Sequence, residues 1–303
     1  MNTPLVSICC ITYNHAQFIR KCLDGFLMQK TDFPIEILIH DDCSTDGTTE
    51  IIREYEAKYP DLIFPLYEEE NQYQQGKAAE IDFYNYRRAR GKYIAYCEGD
   101  DYWTDPLKLQ KQVDFMEANP EYSVCFHNYK IFNTWNREFV NNTKLLHLND
   151  CDITVDIFLN GKIGIGQPLT MVFRRGVYDY EWQKHHSRYC DTMEITHLLL
   201  VGKGRFMQFE GGQHNMHCNG VSASQSDIER SWELCDDTKQ MYDYIHHPAI
   251  KKFYLDAYKW RLDICKQNNM FYEFWKTIMN ALKYNLYTGF VIFKYGIKRL
   301  IQD

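Results

Sequence analysis

The sequence lacks several features that mark whole classes of protein. No uncharged apolar stretch in its 303 residues is long enough to cross a lipid bilayer, which argues against a membrane-spanning protein. The N-terminus has no succession of basic, apolar and small residues of the kind that forms a secretion signal. We therefore expect a cytoplasmic protein.

Paired cysteines are also missing. The 11 cysteines are an odd number, and no two have the CxxC spacing of zinc or redox sites. Cys9, Cys10 and Cys97 lie inside apolar runs, as small buried side chains do in proteins of a reducing compartment. The cysteines therefore indicate a core role and no disulfide framework.

An excess of positive charge is absent as well. The 34 basic residues are outnumbered by 41 acidic ones, which gives a net charge of −7. This balance argues against a general nucleic-acid binder, which usually has a basic footprint. If the substrate carries phosphate, an acidic chain needs a local cation, and a divalent metal ion is the obvious one.

The first hundred residues alternate between strand and helix signals. Short apolar runs over residues 5–11, 35–39, 62–66 and 93–97 predict buried strands. Helical spacing follows the first run, where Asn14 is a candidate helix cap, and covers residues 48–59 and 77–90. This alternation predicts an α/β fold with a mostly parallel central sheet flanked by helices.

Polar residues follow three of the four predicted strands. The clusters are Thr12-Tyr13-Asn14, Asp41-Asp42 and the acidic run from Glu98 to Asp101. In sheets of this kind, ligands bind at the carboxyl ends of the strands. Neighbouring carboxylates repel one another unless a cation compensates, and Mg²⁺ and Mn²⁺ prefer oxygen ligands. The sequence thus predicts a Mg²⁺ or Mn²⁺ site at this edge.

Three segments resemble the bacterial family 2 glycosyltransferases, which have the GT-A fold. They are VSICCITYN, ILIHDDCSTDGT and GKYIAYCEGDDYWTDPLKLQKQ, and their order and spacing match across about residues 4–120, with a weaker match to about residue 222. The resemblance implies a GT-A domain over residues 1–225, and the helical pattern beyond it implies a C-terminal extension over residues 226–303. It also implies a nucleotide diphosphate sugar donor, with UDP favoured, a glycan or lipid-linked acceptor, and inversion at the transferred sugar.

The resemblance assigns the nucleotide to the first two polar clusters. Thr12, Tyr13 and Asn14 would line its pocket, and Asp42, together with Asp41, would bind the base or ribose. The alternative is that the residues from Asp41 to Asp46 only shape a turn and cap a helix. For Ser44 and Asp46 we favour the turn, and for Asp42 the ligand.

The resemblance assigns the metal ion and the catalytic chemistry to residues further along the chain. Asp100 and Asp101 would bind the ion, with Asp100 also reaching the nucleotide, and His217 fits the family's downstream histidine. Asp191 matches the carboxylate that takes the proton of the acceptor hydroxyl, a step that such a poor nucleophile needs. Glu194, one helical turn on, is its substitute. The family more often has Asp where Glu98 stands here.

Two other functions remain open. The family commonly has an acid where Cys190 stands, directly before Asp191, which leaves room for a non-catalytic protein that binds a sugar nucleotide or glycan. A sugar nucleotidyltransferase is less favoured, because that class has a glycine-rich basic loop after its first strand and CITYNHAQF has no glycine.

Aromatic residues have two interpretations in this sequence. Tyr102, Trp103 and Trp182 are candidates for stacking on sugar rings, or are core. Residues 271–302 combine aromatic residues with lysines and few acids. Such a segment either lies on an anionic membrane surface as a peripheral contact or packs on the protein with its lysines in solvent.

Overall fold

A computed structural model describes residues 3–140, 148–161, 166–184, 186, 190–218, 220 and 225–301. The chain divides into two compact units, Met1–His217 and Cys218–Asp303. The domain boundary that the sequence suggested, between residues 225 and 226, therefore lies inside the second unit.

The first unit is built on a mixed ten-stranded sheet. The strands are β1 (Val6–Thr12), β2 (Ile35–Asp41), β3 (Ile63–Tyr67), β4 (Tyr93–Tyr96), β5 (Tyr102–Trp103), β6 (Tyr122–Asn133), β7 (Glu138–Val140), β8 (Cys151–Ile153), β9 (Val172–Arg174) and β10 (Lys203–Met216). Their order is β3-β2-β1-β4-β9-β6-β10-β5, with β7 paired to β6 and β8 to β10.

Helices connect these strands. They are α1 (Ile19–Leu27), α2 (Thr48–Lys58), α3 (Ala78–Arg88), α4 (Lys108–Ala118), α5 (Val155–Leu159), α6 (Tyr180–Lys184) and α7 (Asp191–Val201). The pairs β1–β2, β1–β4, β2–β3 and β6–β10 are parallel, whereas β9 runs antiparallel between β4 and β6. The predicted fold class is confirmed, and β1 to β4 follow the four predicted apolar runs.

The central strand β1 is mostly apolar, and residues on both of its faces are buried. Val6, Ile8, Cys9 and Cys10 of β1 are fully buried. A strand with two buried faces shows a continuous apolar run and no alternation. This explains why VSICCIT forms a strand although its residues show no period of two.

The strand register brings the polar clusters to one edge. Thr12 lies opposite Asp41 in the β1–β2 ladder. On the other side of β1, the Gly99 N–H donates to the Ile11 carbonyl at 2.9 Å. A Cβ on Gly99 would lie 2.6 Å from Thr12 Oγ1, so this turn can approach β1 only as glycine. The run from Glu98 to Asp101 is thereby held beside the ends of β1 and β2.

The second unit consists of helices. They are α8 (Asp227–Tyr244), α9 (Pro248–Gln267), α10 (Phe271–Tyr284) and α11 (Leu286–Ile301). Ser226 and Glu229 form a capping box at the start of α8, and Pro248 opens α9. Buried residues from all four helices, including Cys235, Tyr254, Phe274 and Ile292, form its core. Within the described part of the chain, no helix has the length and apolar character needed to span a membrane.

Candidate active site

The turn after β1 is tied to the turn after β2. Asn14 has a left-handed backbone with φ of 55°. Its N–H donates to Ser44 Oγ at 2.9 Å, and its side-chain oxygen accepts from the Thr45 N–H at 2.7 Å. The expectation that Asn14 caps α1 is wrong, because the cap position is Phe18 and has no side-chain hydrogen bond. Asn14 instead fixes the two turns against each other.

Tyr13 and Thr12 differ in what they present to solvent. The side chain of Tyr13 is exposed at the tip of the turn, whereas Thr12 is buried. Thr12 Oγ1 lies 3.1 Å from Nδ1 of His15. The His15 N–H also donates to Thr48 Oγ1 at 2.8 Å, which holds this turn on the start of α2. The turn therefore offers one aromatic ring to solvent and one oriented imidazole.

The two carboxylates at the end of β2 are buried, and both accept hydrogen bonds from the protein. Asp41 accepts hydrogen bonds from the N–H and hydroxyl of Ser44 and from the hydroxyl of Thr49. Asp42 accepts from the N–H of Gln72 at 2.6 Å and from that of Tyr73 at 3.1 Å. These contacts fix the turn and the loop after β3, and they leave only the remaining lone pairs for a ligand.

Asp46 has a local structural role. One of its carboxylate oxygens accepts from the Thr48 N–H at 3.1 Å and from the Thr48 hydroxyl. The other accepts from the Ala16 N–H at 3.0 Å. The expected turn-shaping role of Asp46 agrees with this geometry.

Asp101 is held by the returning strand β10. Only 1% of the residue is exposed, and its carboxylate lies 3.0 Å from His214 Nδ1 and accepts from the Asn215 N–H at 2.8 Å. Burial raises the pKa of this carboxyl to about 6, against the lowering effect of His214. Asp101 is thus a buried partner of β10 more than a free ligand.

Asp100 has a different environment. Its Oδ2 lies 2.9 Å from His217 Nε2 and 3.8 Å from His15 Nε2. Its Oδ1 is buried and has no hydrogen-bond partner among the described residues. Burial would raise the pKa of Asp100, but the hydrogen bond from His217 and the charge of His15 lower it overall. The carboxylate form is therefore favoured in an incompletely satisfied site.

Among the residues that the structure describes, two groups of side chains have donor atoms close enough to share a metal ion. One consists of His15, Asp100 and His217, and the other of Glu98, Asp100 and Asp101, each with its donor atoms within 4.8 Å of one another. The predicted ligands Asp100, Asp101 and His217 are therefore divided between two groups that share Asp100. The unsatisfied buried atoms Asp100 Oδ1 and His217 Nδ1 are consistent with a site for a cation.

His15 is the residue that sequence reasoning missed. It directly follows the predicted polar cluster Thr12-Tyr13-Asn14. The available signal was a histidine at a strand end that faces an acidic run on the neighbouring strand. The sequence does not show that these two turns meet.

Asp191 opens α7 and is exposed, with Cys190 at the cap position. Burial lowers the pKa of His214, but Asp101 and the charges of Asp100 and Asp191 raise it overall. Asp191 is thus within electrostatic reach of the Asp101–His214 pair. Glu194, the alternative, is almost completely buried.

Two predicted stacking residues are core. Trp103 and Trp182 have at most 1% of their surface exposed. Trp103 donates from Nε1 to the Leu169 carbonyl at 2.9 Å and packs against the ring of Phe26. Stacking of either tryptophan on a sugar is therefore excluded, and of the three candidates only Tyr102 retains partial exposure.

Comparison with known proteins gives a consistent pattern. The model of the family described as "Glycosyl transferase family 2" matches residues 7–181, more than half of the chain. An uncharacterised Mycobacterium tuberculosis protein is 48% identical over 126 residues, which are 42% of this chain and 35% of that protein. The chain thus aligns with about a third of the length of this relative.

A second relative has a named reaction. It is the Escherichia coli UDP-Glc:alpha-D-GlcNAc-diphosphoundecaprenol beta-1,3-glucosyltransferase WfaP, 35% identical over 127 residues, or 42% of this chain and 47% of WfaP. Among solved structures, S. aureus TarS 1–349 in complex with UDP-GlcNAc superposes with a TM-score of 0.61 at 16% identity, covering 85% of this chain and 72% of TarS. This likeness shows a shared GT-A fold.

Proposed function

Since the chain belongs to glycosyl transferase family 2, we propose that it transfers a sugar from a nucleoside diphosphate sugar to a hydroxyl group of a glycan or lipid-linked acceptor, with the help of a divalent metal ion. The single observation that carries this proposal is the state of Asp100. Its carboxylate lies at the edge where β1, β2 and β4 end, next to two imidazoles, and one of its oxygens has no partner among the described residues.

Asp100 and His217 are the residues that would hold Mg²⁺ or Mn²⁺, and Asp101 supports them. The ion would neutralise the charge that develops on the departing nucleoside diphosphate. Asp101 keeps β10 in place through Asn215 and His214, and so fixes the position of His217 further along the same segment. Asn215 also donates to the Asp100 carbonyl at 2.6 Å, which orients the acidic turn.

The nucleotide occupies the ends of β1 and β2. The exposed ring of Tyr13 stacks on the base, while Thr12 and Asn14 shape the wall behind it. Asp42 accepts hydrogen bonds from the base or ribose through its remaining lone pairs, and Asp41 fixes the turn that presents it. Uridine is the proposed base, which is supported by the UDP-Glc donor in the name of WfaP.

Asp191 supplies the base. Its exposed carboxylate at the start of α7 takes the proton from the acceptor hydroxyl as that oxygen attacks the anomeric carbon. Attack from the face opposite the departing diphosphate inverts the configuration of the sugar. The positive end of the helix dipole at Asp191 favours the ionised carboxylate that this step requires.

The acceptor is proposed to be carried by a membrane lipid on the cytoplasmic side. Helices α10 and α11 expose large apolar side chains: Phe271, Tyr272, Trp275, Met279, Leu286, Tyr287 and Phe290. Lys276 lies 5.9 Å from the ring of Tyr272, and Lys294 lies 4.5 Å from that of Phe290. Aromatic rings with adjacent lysines suit the surface of an anionic bilayer. Sedimentation with phosphatidylglycerol vesicles but not with phosphatidylcholine vesicles would support this contact, and equal sedimentation would contradict it.

The test of the activity is hydrolysis of sugar nucleotides in the presence of Mn²⁺. We expect UDP release from one member of a panel of UDP-sugars, loss of release with EDTA, and loss in Asp191→Ala with UDP affinity unchanged. A non-catalytic binder would give the same affinity but no release from any donor. Binding of all nucleotides equally with and without metal would overturn the site as proposed.

A further inference from the structure

His15 reaches the acidic site from a different segment of the chain than Asp100 and His217 do. It lies in the turn between β1 and α1, whereas Asp100 follows β4 and His217 follows β10. The backbone of His15 is held by Thr48 Oγ1 at 2.8 Å, and its Nδ1 lies 3.1 Å from Thr12 Oγ1. These contacts direct Nε2 towards Asp100, 3.8 Å from Oδ2.

The second imidazole approaches the same oxygen. His217 Nε2 lies 2.9 Å from Asp100 Oδ2, and the two histidine rings meet edge to face with their centroids 6.0 Å apart. Phe18 also packs on His217, with the ring centroids 4.8 Å apart. His217 is only 4% exposed and its Nδ1 has no hydrogen-bond partner among the described residues.

We propose that His15 is a third protein ligand of the metal ion, with Asp100 and His217, and that this two-histidine, one-carboxylate set makes the site select Mn²⁺ over Mg²⁺. The inference rests on the proposed function. Mn²⁺ also binds carboxylate oxygen, but as a first-row transition-metal ion it accepts imidazole nitrogen more readily than Mg²⁺, which proteins bind through carboxylates, phosphates and water. Each nitrogen ligand therefore lowers the relative affinity for Mg²⁺.

The donor separations fit a small divalent ion. Neighbouring donors of an octahedral ion with bonds of about 2.1 Å lie about 3 Å apart. The pair of His217 and Asp100 is already at 2.9 Å. The pair of His15 and Asp100, at 3.8 Å, needs a movement of less than about 1 Å, which a side-chain rotation provides.

Thr12 can hold the His15 ring by a hydrogen bond both without and with a bound ion. A hydroxyl can donate or accept a hydrogen bond. Without an ion, Thr12 donates to Nδ1 and the Nε2–H of His15 faces Asp100. With an ion, Nδ1–H donates to Thr12 and Nε2 offers its lone pair, which is the usual arrangement behind a metal-bound histidine. The tautomer can change without disturbing the turn.

The experiment measures metal binding separately from activity. Mn²⁺ and Mg²⁺ are titrated calorimetrically into the full chain and into His15→Ala, His15→Gln and His15→Asp, with His246→Ala as a control that removes an exposed imidazole of the second unit. In the first two variants we expect the Mn²⁺ affinity to fall about tenfold or more, while the Mg²⁺ affinity changes much less. His15→Asp is expected to shift the preference towards Mg²⁺.

Electron spin-echo spectroscopy of bound Mn²⁺ gives a direct readout. Nitrogen couplings from two imidazoles are expected in the unchanged chain and from one in His15→Gln, which keeps a polar group near Thr12 if His15→Ala does not fold. Wild-type Mn²⁺ affinity and couplings in His15→Gln, with binding lost in Asp100→Ala, would overturn the inference and leave the proposed function standing. Failure of the unchanged chain to bind either ion, with or without UDP, would overturn both.

Discussion

The turns after β2 and β4 both present two consecutive aspartates at the same edge of the sheet, yet they differ in how their oxygens are used. Asp41 and Asp42 accept hydrogen bonds from hydroxyls and backbone N–H groups of the protein. In the turn after β4, Asp101 is satisfied by β10, but Asp100 keeps a buried oxygen without a partner among the described residues.

This difference separates carboxylates that hold the fold from the one that we propose binds the ion. A buried carboxylate whose two oxygens both accept hydrogen bonds stabilises its surroundings, and its removal leaves the donors around it unsatisfied. Asp100 is satisfied only in part, because Oδ2 faces His217 while the buried Oδ1 has no partner among the described residues. Substitution should therefore cost more stability at Asp41 than at Asp100.

Asp100→Ala gives the largest expected effect. We expect kcat/KM for the sugar-nucleotide reaction to fall about a thousandfold, because the ion loses its central carboxylate. The melting temperature should change little, since the unsatisfied Oδ1 is removed together with the hydrogen bond between Oδ2 and His217. Steady-state kinetics and thermal unfolding measure both. Loss of folding with Asp100→Ala would show that the two turns do not differ as described.

Asp41→Ala should instead lower the stability of the fold and leave metal binding unchanged. Removal of the acceptor leaves the Ser44 and Thr49 donors unsatisfied, so the free energy of unfolding should fall by about 3 kcal/mol. Mn²⁺ affinity of the folded fraction should not change. Urea unfolding with Mn²⁺ calorimetry checks both. Wild-type stability together with lost nucleotide binding would make Asp41 a direct ligand.

Lys108 sharpens the comparison, because it is a buried ionisable side chain outside the two acidic turns and its nitrogen also lacks a hydrogen-bond partner among the described residues. Its Nζ has no hydrogen-bond partner among the described residues and lies 3.8 Å from the centroid of the Trp103 ring. Burial lowers the pKa of Lys108 to about 7. Between that pH and about 10, the unfolded chain binds more protons at this lysine, so this group makes stability rise with pH.

Lys108→Met should remove this rise of stability with pH. The variant is expected to be more stable than the unchanged chain below pH 7, and its advantage should shrink by about 2 kcal/mol between pH 7 and pH 9. Chemical denaturation at several pH values measures the difference. A constant difference across this range would show that Lys108 is not buried as a neutral amine.

Gly99→Ala tests the placement of the acidic turn itself and has the smallest expected effect. The new Cβ would lie 2.6 Å from Thr12 Oγ1, so the turn must shift at a cost of about 2 kcal/mol, and Mn²⁺ affinity should fall with it. Gly176→Ala is the matched control, because a Cβ there meets nothing within 4 Å. Equal stability of the two variants would contradict the close approach of the β4 turn to β1.

The fold could be predicted from the sequence because the signals that determine it are local. The runs that became β1 to β4 are apolar and partly β-branched, and three of the four are followed by a polar cluster. A parallel sheet places those clusters together whatever the rest of the chain does. The resemblance to a family then supplied the downstream Asp191 and His217, which no local signal connects to the edge.

The differences between neighbouring residues could not be predicted, because they depend on long-range register. Gln213 of β10 pairs with Tyr102 of β5, and this pairing brings His214 and Asn215 onto Asp101 while leaving Asp100 open. The same pairing buries Trp103, which the sequence offered as a stacking residue. His15 was missed for a related reason, since its distance to Asp100 is set by how closely Gly99 approaches Thr12.

The claim that Asp100 is the anchor of a metal ion that binds the nucleotide is tested most directly by calorimetric titration of UDP with and without Mn²⁺, in the unchanged chain and in Asp100→Ala. We predict that Mn²⁺ tightens UDP binding about tenfold or more in the unchanged chain and has no effect in the variant. Equal tightening in both proteins, or none in either, would contradict it.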